Sequence, residues 1–124
     1  MDKKPSYREL IEIYFRRLFE GRDLSVIDDY LEKGYRDTDI PSGVDDHIKN
    51  SKDYINSLFA RYPSIRVKVG DSMERDNALS VFLEWYVVAD GANRILRKGI
   101  ASFTFSKDNR ITNRTTHIYF DRMN

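Results

Sequence analysis

FARYPSIRVKV, residues 59–69, contains the change of rhythm on which the fold turns. Ahead of Pro63, Ile48, Ile55, Leu58, Phe59 and Tyr62 recur on one side of a helix, which the spacing predicts to start at Asp45 or Asp46. Acidic residues at that end suit the positive end of the helix dipole, and Pro63 forbids continuation at the other. Beyond it, Ile65, Val67 and Val69 alternate with Arg66 and Lys68, the period of a strand with one dry and one wet face.

Upstream, the pattern stays helical. Ser6 and Glu9 have the spacing of a capping box, and Leu10, Ile11, Tyr14, Phe15, Leu18 and Phe19 form the apolar stripe that follows. Gly21 suits a left-handed stop. Asp23 can cap a shorter helix carrying Leu24, Ile27, Tyr30 and Leu31 and ending near Gly34, after which YRDTDIP (35–41) reads as a short strand stopped by Pro41.

Downstream, the pattern stays extended. LSVFLEWYVVA (79–89) is β-branched and aromatic, and Asp90-Gly91 should fold it back onto RILRKGIASFTF (94–105). A KDN turn then leads into RITNRTTHIYFD (110–121). Helices first and long antiparallel strands later define an α+β domain with helices over one face of a meandering sheet. Strands this long bend at bulges or glycines such as Gly99, and a bent sheet with helices on its concave side leaves a cavity suited to a small ligand.

Composition narrows the function. The 124 residues fit one domain, and 21 Lys plus Arg against 20 Asp plus Glu leave a net charge of +1, with no electrostatic footprint for nucleic acid or anionic lipid. The absence of cysteine removes disulfides, thiolate metal sites and cysteine nucleophiles, and is compatible with a cytoplasmic setting. MDKKPSYREL lacks the apolar run of a signal peptide, and no window approaches the length of a membrane helix. Two histidines, His47 and His117, offer no metal-binding spacing, and no phosphate-cradling glycine loop or nucleophile elbow occurs. Any chemistry is therefore expected to need no cofactor.

Three passages carry a resemblance: YRDTDIPSGVDDHI (35–48), FARYPSIRVKV (59–69) and FTFSKDNRITNRTTHIYFD (103–121). The first is similar to a Y-x-x-H-x-P…G-x-x-x-I segment, the second to an F…P-D-x-x-x-x-V link from helix to sheet, and the third to a closing hairpin F-x-x-x-x-G-K-I whose last strand ends in Asp. Together they resemble the nuclear transport factor 2-like superfamily, and within it the SnoaL-like and ketosteroid isomerase-like group. The resemblance implies one cone-shaped, cystatin-like domain over 1–124, with a core of about 6–121. Three N-terminal helices would pack on a strongly curved antiparallel sheet around an internal pocket. It further implies a small hydrophobic molecule as partner and a homodimer formed through the sheet. The activity implied is that of a cofactor-free isomerase, cyclase or hydrolase acting on a carbonyl compound; the alternative is a non-catalytic ligand-binding or dimerisation module. Two departures stand out: Thr38 occupies the place where many members have a histidine and cannot act as a base at neutral pH, and Asn109 replaces the hairpin glycine while still tolerating the left-handed conformation.

Acid–base chemistry of that kind needs a carboxylate or imidazole in an apolar enclosure, with a donor for the developing oxyanion. Asp37, His117 and Asp121 are the candidates for proton transfer, with Tyr14, Tyr35, Trp85 and Thr38 as substrate contacts. In the last strand, alternation places Thr115, His117, Tyr119 and Asp121 on one face and Arg114, Thr116, Ile118 and Phe120 on the other, unless a bulge changes the parity. On one face, His117 and Asp121 would stand roughly 13 Å apart, able to flank a ligand but not to touch. Each candidate also has a plainer reading: a strand histidine bonded to a neighbour, a strand-end carboxylate paired with Arg122, a tyrosine or tryptophan packed in the core.

Overall fold

The computed structural model describes residues 5–123. Ser6 opens α1 (Tyr7–Phe15) as the capping box predicts: its hydroxyl accepts from the Glu9 amide at 3.1 Å and lies 3.2 Å from the Glu9 carboxylate. The helix continues into a π-helical turn, Arg16–Glu20. Gly21 is not the left-handed stop; its φ is −77°, and Arg22 takes the positive φ of 55°. The glycine is there for room, because a Cβ would lie 2.7 Å from the Arg17 carbonyl oxygen.

Asp23 accepts from the Ser25 amide at the start of α2 (Ser25–Tyr30). That helix ends four residues short of Gly34, because Leu31 is already extended and begins β1 (Leu31–Asp37), where it pairs with Ile111. Sheet pairing, absent from any local signal, overrides the helical stripe. α3 (His47–Arg61) starts where the acidic run predicts, with the Asp46 carboxylate accepting from the Lys49 amide at 3.0 Å.

The remaining elements are β2 (Arg66–Arg75), β3 (Ala78–Ala89), β4 (Ala92–Phe105) and β5 (Ile111–Asp121). They form a curved five-stranded sheet in the order β1-β5-β4-β3-β2. β2 to β5 are an antiparallel meander, but β1 lies parallel to β5, so the sheet is mixed rather than wholly antiparallel. The meander sets the direction of β5, and α3 carries the chain from β1 at one edge to β2 at the other. The Asp90-Gly91 turn has positive φ at both residues (52° and 78°), and Asn109 takes φ 60° in the place of a glycine.

Alternation sorts the strands. Leu79, Val81, Leu83 and Trp85 of β3 and Ala101, Phe103 and Phe105 of β4 are buried against Ile11, Tyr14 and Phe15 of α1 and Leu18 of the π-helical turn, while Phe82 faces away. The strand register shifts at five places, and two of these bulges shape the site. In one, Trp85 pairs with Arg97 and Tyr86 with Ile95, so Leu96 is the extra residue; in the other, Lys98 pairs with Phe120 and Gly99 with Ile118, so Tyr119 is extra. Gly99 admits this second kink, since a Cβ there would meet the His117 carbonyl oxygen at 2.9 Å. At the Pro63 junction, the Arg22 guanidinium sits 3.9 Å over the Phe59 ring and donates to the Pro63 carbonyl, and Arg66 donates to the Phe19 carbonyl at 3.2 Å. The helix-to-strand switch is thus pinned to the end of the first helix. No helix among the described residues is long and apolar enough to cross a membrane.

Candidate functional site

Between the helices and the concave face of the sheet lies a cavity of about 410 Å³. Leu18 of the π-helical turn, Ile55 and Leu58 of α3, and Trp85 of β3 supply apolar lining. Its polar lining converges from five elements and one loop: Tyr14 on α1, Tyr35 and Asp37 on β1, Asp39 just beyond β1, Asn50, Ser51 and Tyr54 on α3, Arg97 on β4, and Arg114 and Thr116 on β5.

Asp37 is held from three sides. Its backbone amide donates to His47 Nδ1 at 3.0 Å, and Nε2 of the same ring lies 3.0 Å from both the Val44 carbonyl and the Arg36 guanidinium. The buried His47 therefore ties the end of β1 to the start of α3. The Asp37 carboxylate accepts from the Asp39 amide at 2.9 Å, and the Tyr35 hydroxyl approaches its other oxygen at 3.4 Å.

Both tyrosines are kept protonated. Burial pushes the Tyr14 hydroxyl up from its usual 10.0 to about 12, an effect that Arg114 opposes and Asp37 reinforces. Tyr35 is raised as well, again by burial first, with Arg114 opposing and Asp37 adding. Tyr14, Tyr35, Asp37 and Arg114 thus feel one another's charge in a single apolar chamber. Each tyrosine stays a hydrogen-bond donor throughout the neutral range.

Arg97 and Asp121 make a different unit. Arg97 donates to the Tyr54 hydroxyl at 2.9 Å and to Asp121 at 3.2 Å. Burial draws the Arg97 pKa down, but Tyr54 and Asp121 outweigh it and hold it above its usual value. The Met123 amide, bonded to Asp121 at 2.8 Å, is the main cause that lowers the Asp121 carboxyl, with Arg97 adding to it against burial. Asp121 is thus paired with an arginine of the cavity wall.

The sequence-predicted residues therefore separate. Asp37, Tyr14, Tyr35 and Trp85 line the cavity. Thr38 is exposed and only its backbone is engaged, its amide donating to the Arg114 carbonyl at 3.1 Å. His117 lies on the opposite, exposed side of β5, because Arg114, Thr116 and Ile118 take the inward positions. The expected sharing of a face by His117 and Asp121 fails too: the extra residue Tyr119 flips the parity after Ile118 and brings Asp121 to the side of Arg97. Sequence reasoning missed Arg114, Arg97 and His47. For Arg114 a signal existed, since Ile118 and Phe120 make its face the more apolar of the two. Among the described residues, no cluster of three metal-ligating side chains occurs.

The fold superposes on those of solved structures. One is a SnoaL-like polyketide cyclase from Agrobacterium tumefaciens, with TM-score 0.72 and 11% identity over 94% of this chain and 93% of that one. A proposed polyketide cyclase from Acidithiobacillus ferrooxidans gives 0.70 and 15% over 94% and 91%. A proposed isomerase of the SnoaL-like family, also from Agrobacterium tumefaciens, gives 0.68 and 10% over 90% and 95%. The chain has the SnoaL-like fold. At these identities the likeness is one of architecture, and residue roles within the SnoaL-like fold have to come from this chain's own geometry. No protein-family model matches the sequence, and no curated protein matches it significantly.

Proposed function

We propose that this SnoaL-like chain is a single cone-shaped domain whose cavity is a ligand pocket, and that it performs cofactor-free acid–base chemistry on a small hydrophobic carbonyl compound. The observation that carries the reading is the meeting of the Asp37 carboxylate and the protonated Tyr14 hydroxyl on the wall of one apolar cavity. Asp37 takes a proton from the carbon beside the carbonyl, and the electron pair of that C–H bond moves to the carbonyl oxygen as an enolate. Tyr14 donates a hydrogen bond to that oxygen, where a preorganised donor in apolar surroundings is most effective. In a β,γ-unsaturated compound the resulting dienolate recovers the proton from Asp37 at its γ carbon, an isomerisation; in a dicarbonyl compound the enolate carbon attacks the second carbonyl and the alkoxide so formed takes the proton from Asp37, a ring closure. Proton transfer is assigned to Asp37 alone; Asp121 positions Arg97, and His117 has no part.

Deuterium uptake from solvent at the carbon beside the carbonyl of a panel of aryl and cyclic ketones, followed by mass spectrometry, tests this. The wild type should accelerate uptake into at least one of them, Asp37→Asn should slow it by about 100-fold or more, and His117→Ala should leave it unchanged. Uptake that survives Asp37→Asn intact, or fails to occur, sinks the catalytic reading. A non-catalytic binding module of the same fold is the second reading. It is favoured by the fact that of Asp37, His117 and Asp121, Asp37 is the one on the cavity wall. Ligand binding without uptake would select it. A cytoplasmic homodimer joined through the outer face of the sheet completes the proposal, supported by exposed Phe82 and Val88 on that face.

A further inference from the structure

Arg114 is unlike the other arginines near the core. Arg97 is engaged by Asp121 and Tyr54, Arg66 by the Phe19 and Ile65 carbonyls, and Arg110 by the Asp28 and Leu31 carbonyls. Arg114 makes no ion pair among the described residues, and its one side-chain hydrogen bond runs from Nε to Thr116 Oγ1 at 3.0 Å. Its guanidinium is nevertheless held in place, 5.3 Å from the Phe103 ring centre and 5.9 Å from that of Phe15. Four N–H donors on the two terminal nitrogens thus have no protein acceptor, in a half-buried group that lines an apolar cavity. These nitrogens are not among the buried unpartnered atoms and so open onto the cavity, and the partner that best matches a fixed planar fork is a planar carboxylate.

Resting on the reading of this cavity as the ligand pocket, we infer that its ligand is a hydrophobic oxo acid whose carboxylate is bound by Arg114. The carboxylate would accept two hydrogen bonds from the terminal nitrogens while the apolar body packs on Leu18, Leu58 and Trp85 and the carbonyl meets Tyr14 and Asp37. Arg114 lies directly across the β1–β5 pairing from Asp37, so one molecule of modest length can span both. Arg114 is then the specificity-determining residue, choosing acids over their esters.

The probes are 2-naphthoate and methyl 2-naphthoate, titrated calorimetrically into the wild type, Arg114→Gln and Arg114→Lys. Neither probe has an exchangeable proton beside its carbonyl, so binding is read apart from turnover. The wild type should bind the acid at least about tenfold tighter than the ester, a difference of about 1.4 kcal/mol. Arg114→Gln should remove the preference, and Arg114→Lys should keep a reduced one, since it retains the charge without the fork. Equal binding of acid and ester by the wild type, no binding of the acid, or a preference that survives Arg114→Gln overturns the inference. The wild-type comparison stands even where Arg114→Gln folds poorly. If the preference fails while deuterium uptake still depends on Asp37, only the oxo-acid inference falls. If the preference holds while Asp37→Asn exchanges like wild type, only the catalytic reading falls.

Discussion

Tyr14 shows how burial turns an ordinary side chain into a durable proton donor. Its hydroxyl titrates at about 12 when folded and near its usual 10.0 when unfolded, so the folded chain holds the proton more tightly. The associated stability is fully present below pH 10 and is lost as the pH rises through about 12, an effect on the order of 3 kcal/mol. Urea midpoints measured between about pH 9 and 12 should fall more steeply for the wild type than for Tyr14→Phe; parallel curves would place the hydroxyl in contact with water. Tyr35, raised in the same direction, should leave a residual slope in the variant. The stripe that includes Tyr14 was legible from sequence because helical periodicity names the inward face. His117 was not, because two faces of a strand look alike until the sheet's concave side is known.

At the level of elements, the bulge in β5 decides the site's outline. Without Tyr119 as an extra residue, Asp121 would share the outer face with His117 and Arg97 would lose its partner. Gly99→Ala puts a methyl group 2.9 Å from the His117 carbonyl oxygen, against backbone that cannot yield cheaply. That variant should lose about 1–3 kcal/mol in urea unfolding. A loss near zero would mean that the kink re-forms without glycine. The four long strands and three helices could be read from period, caps and turn residues, each of which acts over a few positions. The placement of β1 could not: its Leu31 belongs to a helical stripe by spacing and becomes extended only because it pairs with Ile111. Bulges escape for a related reason, since an added residue leaves no mark in the alternation until the partner strand is aligned with it.

Across the whole molecule, one face of the sheet is covered by helices and the other is open. Phe82 and Val88 stand on the open side at 46% and 52% exposure, and the proposed homodimer would cover them. Light scattering at micromolar concentration should report a dimer, and Phe82→Glu should shift it to monomer; a wild-type monomer removes the dimer from the proposal. The mixed sheet has a consequence for synthesis. Among the described residues β1 pairs with β5 alone, so Leu31 leaves the ribosome about eighty residues before its partner Ile111 does. Throughout that interval the first three helices can form locally but the chamber cannot close. So distant a pairing delays folding, and at a translation rate of about 5–20 residues per second the nascent apolar stripe waits several seconds for its last wall. A stalled or C-terminally shortened chain lacking β5 would hold its helices over an unfinished sheet, a natural target for chaperones and proteases.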